Sequence, residues 1–71
     1  MRHRDLITDQ DYRELRDHAM ALGSLDLVRI CDLALRPFGK AGTIQVGETV
    51  FTRARARTHC RDVIVEMRRR G

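Results

Sequence analysis

Apolar residues recur along the chain at two periods, and the change of period marks the elements. From Tyr12 the steps to Leu15, Ala19 and Leu22 are three, four and three residues, which puts them on one narrow helix face. Thr8 precedes this run with Asp11 three positions later, the pattern of an N-cap answered by an acid. Ile7 and Tyr12 stand where a hydrophobic staple would pack, and Gly23 suits a left-handed helix end. The pattern predicts helix 1 over 9–22.

Ser24 follows at once as a cap, and the richest apolar stretch of the chain begins at Leu25. Leu27, Val28, Cys31, Ala34 and Leu35 share a broad face, with Ile30 at its edge and Asp26, Arg29, Asp32 and Arg36 opposite. So wide a face needs more than one partner, which makes this the central helix. It is predicted over 25–36, since Pro37 disfavours helical geometry in the residue before it. Leu25 and Leu33 fall outside the main face, and if neighbouring helices leave them bare they would serve a homodimer.

Residues 37–51 break the helical period. Thr43-Ile44-Gln45-Val46 alternates, Gly47-Glu48 suits a two-residue type II′ turn, and Thr49-Val50-Phe51 returns. The segment reads either as a miniature hairpin pairing Ile44 with Phe51 or as an irregular loop. A two-stranded hairpin is marginal alone and would have to lean on the helices. Thr52 then caps helix 3, predicted over 53–69, with Ala56, Cys60, Val63, Ile64 and Met67 as its apolar stripe and Ala54 and Val65 outside it. The fold class expected is therefore mainly α: one small three-helix domain over 1–71, with a short β-hairpin between helices 2 and 3 as its open question. Its expected core is Leu15, Ala19, Leu22, Leu27, Val28, Cys31, Ala34, Leu35, Cys60, Val63, Ile64 and Met67, with Phe51 or Ile44 plugging one end.

Composition narrows the function classes. A chain of 71 residues leaves little room for a deep cleft with its own supporting shell, so a non-enzymatic role is expected. No apolar run approaches the ~18 residues of a membrane span, and no apolar secretory core follows the charged start, so no membrane partner and a cytoplasmic location are expected. Cys31 and Cys60 are too few for a disulfide scaffold and read as reduced core thiols.

The net charge of +4 comes with fourteen cations, of which Lys40 is the one lysine. Helix 3 concentrates them: Arg53, Arg57, Arg61 and Arg68 lie along one side of it, beside the apolar stripe. Guanidiniums at helical spacing can follow a phosphate backbone. The plainer alternative is a solvated face pairing with Asp17, Asp26 or Asp32.

Other motifs carry less. A helix-turn-helix over 15–35 would put Arg29 where a buried aliphatic belongs and would offer phosphates two acids, Asp26 and Asp32. Gly39-Lys40-Ala41-Gly42 matches the GXXG loop of KH domains only in those few residues, without the strand–helix order upstream. His18, Cys31, His59 and Cys60 lack metal-ligand spacing, and neighbours His59 and Cys60 diverge by about 100° on a helix. No metal and no cofactor is expected.

Ile7-Thr8-Asp9, Leu15, Ala19, Gly23, the run Leu27–Leu35, Ala56-Arg57, Cys60 and Val63-Ile64 together resemble short uncharacterised helical proteins of phages and bacterial genomes. The resemblance leaves out 37–51 and rests on core positions, so it implies three helices and no defined activity. The function expected is a small basic binding module that contacts nucleic-acid phosphates through Arg53, Arg57, Arg61 and Arg68. The alternative is a protein-interaction module, such as a phage accessory or inhibitor protein, docking on an acidic host-protein surface.

Overall fold

A computed structural model describes residues 6–71. Its elements are α1 (Asp9–Leu22), α2 (Leu25–Leu35), β1 (Thr43–Val46), β2 (Thr49–Thr52) and α3 (Arg53–Arg70). The chain is thus mainly helical, with an antiparallel hairpin between the second and third helices.

The local signals act as physical chemistry requires. Thr8 accepts a hydrogen bond from the Asp11 backbone N–H, while the Asp11 carboxylate accepts one from the Thr8 N–H at 2.7 Å. The box satisfies donors that a helix start leaves unpaired. At the other end Gly23 takes φ 76, and Ser24 N–H reaches back to the Ala19 carbonyl at 2.9 Å. That tight left-handed exit folds α2 back along α1. Ser24 precedes α2 but its side chain makes no capping hydrogen bond. α2 stops at Leu35, one residue short of the expected end, because Arg36 before Pro37 takes extended geometry at φ −68, ψ 150. α3 runs one residue further than expected, to Arg70.

The hairpin forms with Ile44 opposite Phe51. Gly47 at φ 61 followed by Glu48 with negative φ is what a type II′ turn needs. Phe51 is buried, and Ile44 and Val46 pack on the same cluster, so the hairpin leans on the helices. Two arginines of the α2 side fasten it further. Arg29 donates to the Gln45 carbonyl at 3.1 Å and Arg36 to the Ala41 carbonyl at 2.7 Å.

α2 lies at the centre, packed against α1 on one side and α3 on the other. Ala19, Cys31, Leu33, Ala34, Ala56 and Cys60 have no exposed surface at all. Three expectations change here. Leu33, outside the main face and open to a homodimer only if neighbouring helices left it bare, is fully buried in one cluster with Leu15 of α1, Phe51 of the hairpin and Ile64 of α3. Leu22 is 70% exposed, since it sits at the α1–α2 corner, past the last turn that α2 can cover. Met67 is 43% exposed, because the 18-residue α3 outruns the 11-residue α2. Leu27, Leu35 and Val63 are half-buried at the core's edge, and Tyr12 and Ile30 join its buried part. Leu25 stays outside, at 72% exposure.

Replacing Leu33 by Ala should therefore cost about 2–5 kcal/mol, a large part of what so small a domain can hold. Leu22→Ala should stay within about 0.5 kcal/mol. Urea unfolding of both variants checks the pair, and comparable losses would overturn this assignment of the core.

Candidate nucleic-acid interface

The arginines of α3 are placed by two facts of the backbone. α3 starts directly after β2, so its first turns lie beside the end of α2, and the two helices run antiparallel. Arg53, Arg57 and Cys60 successively meet Arg36, Ala34 and Cys31, so partners along α2 fall in number as those along α3 rise. The last carbonyls of α2 have no intrahelical partner, and here guanidiniums take that role. Arg53 Nε donates to the Arg36 carbonyl at 2.7 Å, and Arg57 donates to the Ala34 carbonyl at 3.0 Å.

Arg57 does more. Its guanidinium lies 4.7 Å from the centre of the Tyr12 ring and 3.4 Å from the Asp9 carboxylate in the first turn of α1. One side chain thereby joins all three helices. Arg68 binds the same end of α1 from further along α3, donating to the Leu6 carbonyl at 2.9 Å and to Asp11 at 3.1 Å. Asp11 consequently has a pKa below the usual 3.8, chiefly through the Thr8 N–H, with the Thr8 hydroxyl and Arg68 adding to it against a burial effect that opposes it.

Of the four arginines expected to form the stripe, three are thus engaged within the protein. Arg61 differs: it is exposed, and among the described residues no hydrogen bond or ion pair is shown for it. It lies one turn beyond Arg57, and both line an open cleft of about 300 Å³ with Leu6, Ile7, Tyr12 and Thr58. The acids expected to answer the stripe were Asp17, Asp26 and Asp32, but those that do are Asp9 and Asp11. Asp32 pairs instead with Arg16 of α1 at 2.9 Å, a bond that raises the Arg16 pKa. Arg69 and Arg70 pair with Glu66 one turn back on their own helix.

Sequence reading missed the Arg57–Tyr12 stack and the capping of α2 by arginines. The signal for the second was present: a helix stopped by proline, and a later helix beginning with alternate arginines. The remaining motifs separate in space. His59 stacks edge-on against Phe51 at 5.6 Å, while its neighbour Cys60 faces Cys31. Gly39 and Gly42 both take positive φ, and Ala41 between them is buried rather than presented to a ligand. Among the described residues, no group of three or more His, Cys, Asp or Glu side chains is placed to hold a metal ion.

The fold and this surface define a three-helix domain with an inserted hairpin and an arginine-lined helix face. Comparison with protein-family models, curated proteins and solved structures finds no match.

Two outcomes follow for stability. Arg57→Ala should lower it by about 1–2 kcal/mol through loss of the ring contact and the carbonyl hydrogen bond. Arg61→Ala should change it by less than about 0.5 kcal/mol. Thermal melting of the two variants tests this, and equal effects would contradict the distinction. Asp11 supplies a pH test. Its folded pKa is depressed, so its contribution is complete above the unfolded value and is lost as pH falls through the folded one. The stability gap between the wild type and Asp11→Asn should be constant near neutrality and shrink below about pH 4. A gap unchanged in melts down to about pH 2 would rule out the linkage.

Proposed function

We propose that this chain is a non-enzymatic, cytoplasmic binding module that holds nucleic-acid phosphates on the arginine face of α3, with Arg61 as its principal contact. The observation that carries the reading is that Arg61, beside three engaged arginines, is exposed and has no acid or carbonyl partner among the described residues. A guanidinium without a protein acid can take a phosphate oxygen and give up nothing inside the fold. Arg57 supports it from one turn away, held in place by Tyr12 and the α2 carbonyl, so it keeps its charge at the cleft with little freedom left to lose. Arg53 and Arg68 contribute charge to the same side, and their internal contacts make them weaker direct ligands. Contact through phosphates implies affinity without sequence preference.

The test is a titration of duplex DNA and of RNA at several salt concentrations. Binding should weaken steeply with salt. Arg61→Ala should lower affinity alike for every sequence and reduce the salt slope by about 0.9 for duplex DNA, the release expected for one phosphate contact. Binding that is absent at low salt, or unaltered in Arg61→Ala, would overturn the reading.

A second reading is favoured by the α1–α2 corner, where Met20, Leu22 and Leu25 are 57%, 70% and 72% exposed. Apolar side chains gathered there suit a protein surface better than a phosphate backbone. In this reading the chain docks on a host protein, with the arginines meeting its acids, and capture of one host protein at physiological salt without nucleic-acid binding would favour it.

A further inference from the structure

The two cysteines meet in the middle of the core. Cys31 of α2 and Cys60 of α3 are 29 positions apart in sequence, yet their sulfurs lie 3.5 Å from one another. Neither has any exposed surface, and both thiols are free. Packing alone asks for two small apolar side chains here, and does not ask that two thiols face each other. A sulfur–sulfur bond spans about 2.05 Å, so the two sulfurs, at 3.5 Å, have about 1.5 Å left to close.

We propose that Cys31 and Cys60 form an oxidisable dithiol, which peroxide converts into an intramolecular disulfide stapling α2 to α3. Chemically, the Cys31 sulfur attacks one oxygen of hydrogen peroxide. The O–O bond breaks, water leaves, and a sulfenic acid remains on Cys31. The Cys60 sulfur then attacks the Cys31 sulfur and gives up its proton. The S–O bond breaks, a second water leaves, and the disulfide is complete. Two thiols have lost two electrons in all, and one peroxide has accepted them.

The two sulfurs face each other symmetrically, and either can donate the hydrogen bond between them, so the same two steps also run with Cys60 attacking first and Cys31 resolving. Because both are covered, oxidation proceeds through brief opening of the domain and is slower than at an exposed thiol. The staple closes a loop containing the hairpin and the first turns of α3, so Arg53 and Arg57 are held against α2 whenever it is formed. This inference stands on the core and not on the reading of the arginine face.

The experiment treats the reduced, folded chain with hydrogen peroxide. Expected are a mass loss of about 2 Da under denaturing, non-reducing conditions, a peptide linking Cys31 to Cys60, and no disulfide-linked dimer. The melting temperature should rise by on the order of 10 °C and return on reduction. In Cys60→Ala the rise should vanish, and a sulfenic-acid probe should label Cys31 instead. Should that variant fail to fold, the wild-type mass and melting shift decide alone. Two free thiols surviving in folded protein, under peroxide that oxidises the urea-unfolded chain, would overturn the proposal. A disulfide formed only between molecules would do the same.

Discussion

Burial of α2 is the constraint on which the other elements depend. Eight of its eleven residues are apolar, and Val28, Ile30, Cys31, Leu33 and Ala34 are buried on several sides at once. No single neighbour can cover a helix in this way, so α1, the hairpin and α3 each take one part of its surface. Apolar transfer favours that arrangement by roughly 1.5–3 kcal/mol for each large side chain removed from water. At its C-terminal end the helix leaves backbone carbonyls without a helical partner, and that of Ala34 is partly covered. The arginines that open α3 supply the missing donors, which ties the charge of that helix to the apolar character of α2.

This coupling alters what the arginine-rich composition means. Composition invites a picture of a uniformly cationic face, yet the guanidiniums divide by task. Arg53 and Arg57 complete the end of α2, Arg29 and Arg36 hold the hairpin, and Arg16 and Arg68 bind acids on neighbouring elements. Arginine suits such work because its planar group offers several donors on a long apolar stem that packs across the surface. Among the described residues Arg61 is the member of the expected stripe left with its charge unengaged, and the proposed function rests on that contrast.

The cysteines follow from the same geometry. Antiparallel packing of α3 on α2 brings the one thiol of each helix to the same level. The contact is the centre of the domain, so any bond formed there would tighten every element that leans on α2.

Much of the fold was legible in the sequence because its signals are local. Thr8 with Asp11, Gly23, Pro37, Gly47 and Thr52 fix element ends through backbone geometry that each residue imposes within a few positions. Helical and alternating periods marked which side of each element turns inward, and even the Ile44–Phe51 register followed from a two-residue turn. Only the tertiary structure decided how far cover extends. Leu22 and Met67 match the periods and still face water, while Leu33 departs from the main face and is wholly buried. A period gives the direction of a side chain, but burial depends on where the neighbouring helix ends. The candidate site was legible as a row of arginines on one side of α3. Which of them is free was not, because pairing with Tyr12, Ala34 and Leu6 depends on the crossing of helices distant in sequence.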